Sequence, residues 1–196
     1  MKRILLPPLF LLSAILIFQA GNRWLYAAEN DENRAREIIT HRTDAGEPDA
    51  TGWSLAQSTE GGFSVMMPGQ FDDFTVTGVA PDGVPIYSHI VKTRTSEGSN
   101  FSAFRVTRVD GTLPAGTVEN IVEKHRKKSF FFKQDKISVM GLEGYEILAK
   151  NDQNSTAIRV FRDEARLYEL IVEFSSNHSS EMEPQIRRFM ESFTFQ

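Results

Sequence analysis

The chain has 196 residues, of which 40% are hydrophobic and 24% charged, the composition of an ordinary globular protein. Its formal net charge of -4 argues against a nucleic-acid-binding protein, because such proteins usually carry a strong basic excess. The absence of cysteine excludes disulfides, thiolate metal sites, cysteine nucleophiles and a lipid anchor on cysteine.

The first 28 residues have the pattern of an export signal. Lys2 and Arg3 precede an apolar run from Ile4 to Phe18, which is shorter than the about 20 residues that a spanning helix needs. A signal peptidase requires small residues one and three positions before its cleavage site. Ala27 and Ala28 meet the first requirement, but Leu25 and Tyr26 do not meet the second, so two alternatives stay open. Residues 1–28 are predicted to be a signal peptide or an uncleaved N-terminal membrane anchor. Both alternatives predict an extracytoplasmic protein, either periplasmic or secreted.

Residues 29–52 are predicted to be a polar, flexible tether. The stretch "ENDENRAREIITHRTDAGEPDAT" is rich in charge, and only Ile38 and Ile39 in it are large and apolar. Such a segment buries too little apolar surface to offset the entropy that ordering would cost. Trp53 then begins the predicted folded domain, which covers residues 53–196.

The first half of this domain alternates like β-structure. In "GGFSVMMPG", residues 61–69, the apolar Phe63, Val65 and Met67 share one face of a strand. The glycines before them and the Pro-Gly after them are turn residues. Two longer strands are predicted over residues 86–94 and 101–109, and the polar loop "TSEGSN" joins them as a hairpin.

The second half adds two helices and more strands. Val118, Ile121, Val122 and His125 recur at helical spacing, and a second apolar helical stripe follows Ser180. Between the helices, "KISVMGLEGYEILAK", "TAIRVFRD" and "RLYELIVEF" are predicted strands. The predicted class is α+β, with a single mostly antiparallel sheet of about six to seven strands flanked by two main helices.

Four stretches together resemble the PsbP-like family of exported accessory proteins and related bacterial extracytoplasmic proteins. They are "GGFSVMMPG", "GLEGYE", "RLYELIVEF" and "RRFMESFTF", and the resemblance covers roughly residues 53–196. It implies a largely antiparallel sheet between helices, similar to an α/β/α sandwich. The protein that gives the family its name is an extrinsic accessory subunit of photosystem II and not an enzyme. The shared pattern consists of core and turn residues, so it transfers no functional residue.

The sequence offers no strong pattern for catalysis, a cofactor or a metal. The four histidines, His41, His89, His125 and His178, lack the short spacing of metal ligands. No G-x-S-x-G elbow occurs. The adjacent carboxylates Asp72-Asp73 and Asp163-Glu164 fall in predicted turns, where we expect them to be solvated. We therefore predict no catalytic, cofactor-binding or metal-binding residues.

The run "EKHRKKSFFFK" is the most suggestive polar feature. The candidate partner-binding residues are Lys124, Arg126, Lys127, Lys128, Phe131 and Lys133. They could meet an envelope protein or an anionic surface, whereas the simpler interpretation is a solvated helix end that complements the helix dipole. We expect the connection after the helix to turn the three phenylalanines at 130–132 inward.

These observations favour a non-catalytic accessory or binding domain that docks on an envelope protein or assembly. The first alternative is a small-ligand or lipid carrier with a pocket between sheet and helix, which Tyr87, Tyr145 and Tyr168 could line. A hydrolase is the third. The sequence predicts no nucleic-acid partner, and it predicts proximity to the membrane through the N-terminal segment. It leaves the oligomeric state open.

Overall fold

The structure is a computed structural model that describes residues 38–41, 47–80, 82–152 and 154–196. The predicted signal peptide or membrane anchor, residues 1–28, lies outside these ranges, as does much of the predicted tether. Within the described ranges, no helix is both long enough and apolar enough to span a membrane.

Eight strands form the main sheet, and each pairs antiparallel with its neighbours. In chain order they are β1 (Ile38–His41), β4 (Asp72–Val79), β5 (Pro85–Arg94), β6 (Asn100–Arg108), β7 (Phe131–Val139), β8 (Leu142–Lys150), β9 (Asn154–Arg162) and β10 (Arg166–Ser175). Their order across the sheet is β1-β4-β5-β6-β10-β9-β8-β7. The chain therefore crosses from β6 to the far edge at β7, and it returns strand by strand to pair β10 with β6.

Three strands form a second, smaller sheet. They are β2 (Trp53–Ser58), β3 (Phe63–Pro68) and β11 (Thr194–Phe195), ordered β11-β3-β2. The predicted apolar alternation of β3 is confirmed, since Phe63, Val65 and Met67 are fully buried. The sequence did not separate these strands from the main sheet. Gly69, with a φ of 94°, follows β3 and allows the chain to turn toward the main sheet.

Two helices complete the layers. The helix α1 (Thr117–Lys127) packs Val118, Ile121 and Val122 on one face of the main sheet. The helix α2 (Ser179–Glu191) and the small sheet cover the other face, where Phe189 and Met190 join the larger core cluster. The predicted α+β class, with two main helices on a largely antiparallel sheet, is confirmed.

Two contacts lie within the stretch that the sequence assigns to the tether. Strand β1 pairs with β4 at one edge of the main sheet. Asp49 accepts hydrogen bonds from the backbone N–H groups of Thr51 and Trp53, and it forms an ion pair with Arg188 on α2. The guanidinium of Arg188 in turn lies 4.7 Å from the centre of the Trp53 ring. The boundary at residue 53 stays a prediction.

Candidate functional site

The C-terminal end of α1 positions the predicted basic run. The helix buries one apolar stripe, so its last turn exposes most of its polar residues, and the negative end of the helix dipole favours cations there. Ser129 ends the helix by donating its hydroxyl to the carbonyl of His125 at 2.7 Å. The N–H of Phe130 donates a hydrogen bond to the carbonyl of Lys150 on β8. The chain therefore joins the sheet directly after the helix, and β7 begins at Phe131.

His125 does not contribute charge to this surface. It lies at helical spacing from Val118, Ile121 and Val122 and is half-buried, and its Nε2 atom is buried without a hydrogen-bond partner. Burial, followed by the charges of Lys124 and Lys128, lowers the pKa of His125 to about 4. The imidazole is therefore neutral at pH 7.

The charge of Lys124 acts on a buried carboxyl, that of Glu169, which sequence reasoning missed. Glu169 on β10 is only 1% exposed, and it shares the sheet face of Leu167 and Ile171, which pack in the α1 core cluster. Its Oε1 atom has no hydrogen-bond partner. Burial raises the pKa of Glu169 to about 7, and the charge of Lys124 opposes part of that rise. Lys124 is itself partly buried, so its charge acts inside the molecule.

Arg126 and Lys127 are held by neighbouring side chains. Arg126 donates a hydrogen bond of 2.6 Å to the side chain of Gln134 on β7, and its guanidinium lies 5.0 Å from the centre of the Phe132 ring. Glu123 lies 3.4 Å from Arg126 and 3.7 Å from Lys127. Arg126 thus links α1 to β7. Lys127 has one exposed partner, Glu123, and such an exposed ion pair stabilises a helix by at most about a few tenths of a kcal/mol.

The three phenylalanines do not all turn inward, so that expectation is wrong. Phe130 is 72% exposed and Phe131 is 43% exposed, whereas Phe132 packs against the α1 core cluster. The reason is the strand geometry: successive residues of β7 point to opposite faces of the sheet, so only one of Phe131 and Phe132 can point toward the core beneath α1.

Lysines lie near the exposed Phe131 ring. The amino group of Lys150 lies 5.5 Å from the centre of the Phe131 ring, and Lys133 follows on the same face of β7, 3.0 Å from Asp135. Lys128 is exposed at the helix end. We call the side chains around the β7 edge the cation–aromatic surface; it consists of Lys127, Lys128, Phe130, Phe131, Lys133 and the half-buried Lys150. It wraps around the edge, with Lys127 and Lys128 on the α1 side of the sheet and Phe131, Lys133 and Lys150 on the other side. It can bind an anionic partner and bury aromatic surface at the same time.

The described residues hold no group of three or more His, Cys, Asp or Glu that could bind a metal ion. His89 is hydrogen bonded through Nδ1 to the hydroxyl of Thr75 at 2.8 Å. The expectation of solvated adjacent carboxylates is wrong for Asp73, which is buried on β4 within 3.4 Å of the Ser58 hydroxyl.

A groove of about 310 Å³ lies between α2 and the main sheet. Its lining includes Leu148, Ala157 and Phe174 from the sheet and Ile186 and Met190 from α2. The carrier alternative requires a pocket of this kind, but the candidate tyrosines lie elsewhere. They are Tyr145, which lines a separate polar pocket at the start of α1, Tyr168, which is fully buried, and Tyr87, which is exposed.

Sequence reasoning missed Phe130, Lys150 and Glu169. Phe130 adjoins the predicted run, and its exposure depends on where β7 begins. Lys150 joins the surface only because β8 pairs with β7 in register, with Lys150 opposite Phe131. Glu169 had a sequence signal, since it is a charged residue on the strand face shared by Leu167 and Ile171 in "RLYELIVEF".

Comparison with known proteins gives one type of match. No protein-family model and no curated protein matches the chain. Among solved structures, the chain is similar to the solution structure of cyanobacterial PsbP (CyanoP) from Synechocystis sp. PCC 6803. The TM-score is 0.47 and the identity 14%, and the match covers 79% of this chain and 98% of the other. That protein bears the name of the family that the sequence resembles.

Proposed function

We propose that this chain is a non-catalytic extracytoplasmic accessory domain that docks on an envelope protein or assembly through its cation–aromatic surface. The exposure of Phe130 and Phe131 among cations carries the proposal. Adjacent exposed aromatic rings are costly in water and are typical of contact sites, where they are buried with neighbouring charges. The extracytoplasmic location rests on the N-terminal sequence pattern.

Charge guides the choice of partner. The chain is acidic as a whole, whereas this surface carries four lysines, two of which pair with the exposed Glu123 and Asp135, and so has a local excess of positive charge. An acidic partner is attracted to this positively charged surface and is repelled by the acidic remainder of the chain, so it docks at one place. We therefore propose an acidic protein face as the docking partner.

In-cell crosslinking followed by mass spectrometry tests the proposal. The full-length protein is compared with a variant carrying Lys127→Glu, Lys128→Glu and Lys133→Glu. Lys124 and Arg126 are left unchanged because the charge of Lys124 acts on the buried Glu169, and Arg126 contacts Gln134 and Phe132. Changing them would confuse a folding defect with a binding defect.

The control variant reverses three cations elsewhere: Lys92, Arg94 and Arg187. We expect one envelope protein to be recovered with the native chain and the control, and to be lost with the surface variant. Equal recovery with all three proteins would show that docking uses another surface. Recovery of no specific protein would contradict docking itself.

The groove between α2 and the sheet favours a second candidate function, a small-ligand or lipid carrier. Six apolar residues line it together with the charged Lys133, Asp135, Glu146 and Glu183, so it could hold a small molecule with an apolar body and a polar group. Native mass spectrometry of protein purified from its host would then show a bound molecule of constant mass. A single peak at the mass of the protein alone would contradict this candidate.

A further inference from the structure

Strand β7 leaves one backbone edge open beside the cation–aromatic surface. It is the last strand of the main sheet, and no strand of the described chain lies on its outer side. In an antiparallel strand, alternate residues direct their N–H and C=O groups toward the neighbouring strand, and the residues between direct theirs away from it. The outward groups of β7 therefore form a row of unpaired donors and acceptors.

The edge lacks the usual backbone devices against pairing. β7 has nine residues, which is long for a strand, and its sequence "FFKQDKISV" contains no proline or glycine. The pairing with β8 runs without interruption from Phe131 opposite Lys150 to Val139 opposite Leu142, so no bulge bends the strand away. An edge of this kind is a template for one more strand.

Charged side chains above and below the edge restrict which strand can add. Lys133 and Lys150 lie on one face, and Lys136 lies on the other, on the same side as Arg126 from α1. Asp135 is the acidic residue of β7, and it is paired with Lys133 at 3.0 Å. Glu143 and Glu146 lie one strand further in, on β8, so the charged side chains of the edge strand itself are two lysines and one aspartate. This excess of positive charge protects the edge against a basic strand and favours an acidic one.

We propose that an extended acidic segment of the partner protein adds to β7 as a ninth strand of the main sheet. This inference rests on the proposed docking function and names the binding mode and the chemistry of the partner segment. Backbone hydrogen bonds supply affinity, and the cations on both faces supply selectivity. Phe130 and Phe131 then cover the end of the added strand.

Residue-resolved amide hydrogen exchange by NMR tests strand addition. The probe is a synthetic peptide, as long as β7, that alternates glutamate with valine; it is added to the full chain at low salt. We expect alternate amides of β7, the outward ones, to exchange at least about tenfold more slowly when the peptide is bound. The amides between them already bond β8 and should change little.

The matched variants carry Lys133→Glu with Lys136→Glu, or Lys92→Glu with Arg94→Glu as the control. We expect the β7 variant to lose protection and the control to keep it. Binding without alternate protection would overturn strand addition and leave docking by side chains intact, as the crosslinking experiment would show. Absence of peptide binding would overturn the acidic-strand assignment. Protection that grows with protein concentration alone would overturn it in favour of a second copy of the chain.

Discussion

At the scale of single residues, two buried ionisable groups on the α1 side of the sheet act on stability in opposite directions. Glu169 has a pKa of about 7 in the folded state against 4.5 ordinarily, so folding loses stability as pH rises between these values. His125 has a pKa of about 4 against 6.5 ordinarily, so folding loses stability as pH falls between these values. Their effects largely cancel from about pH 4.5 to 6.5.

Glu169→Gln separates the two effects. The amide stays neutral at every pH, so the variant lacks the loss of stability that ionising the buried carboxyl causes. We expect the stability of the variant relative to the native chain to rise by about 3 kcal/mol between pH 4.5 and about pH 8. Urea unfolding at the two pH values measures this difference. Parallel pH profiles of the two proteins would show that Glu169 titrates normally in the fold.

At the scale of elements, the β8–β9 pairing depends on one glycine. A Cβ at Gly144 would lie 2.1 Å from the Val160 carbonyl oxygen and 2.8 Å from the Phe161 Cα atom, both on β9. Because backbone cannot move aside cheaply, we expect Gly144→Ala to destabilise the domain by about 3 kcal/mol or more. Gly141→Ala is the control. It meets open space at a φ of 86° and should cost only about 1 kcal/mol. Equal midpoints in urea unfolding would contradict the expectation.

Most of what the sequence predicted correctly concerns the secondary-structure elements. Alternation located β3, strand and hairpin patterns located β5, β6, β9 and β10, and helical spacing located α1. Two features could not be predicted from the sequence because contacts with distant parts of the chain determine them. The stretch that contains Gly144 was predicted as a strand, but only the pairing with β9 shows why residue 144 must be glycine. Likewise, the exposure of Phe130 and Phe131 follows from the place of β7 at a sheet edge.

At the scale of the whole molecule, an aromatic cluster joins the two sheets. Phe193, predicted on the apolar stripe of the last helix, lies just beyond α2. It packs 5.5 Å from Phe63 of the small sheet and 5.5 Å from Phe161 of the main sheet, measured between ring centres. We expect Phe193→Ala to cost about 3–5 kcal/mol in urea unfolding, because it leaves a cavity between the sheets. Phe130→Ala, at an exposed position, should change stability by less than about 0.5 kcal/mol. Similar losses in the two variants would contradict this account of the core.

The width of the main sheet determines the distance between its two edge strands. β1 and β7 are its two edges, and its eight strands are separated by seven steps of about 4.8 Å, so the edges lie roughly 34 Å apart. Each step also turns the strand direction by about 20–25°, which gives a total rotation of roughly 150°. The chain joins the sheet at β1, and the proposed partner joins at β7. A support that holds the β1 edge would therefore lie roughly 34 Å, the width of the sheet, from a partner docked at β7.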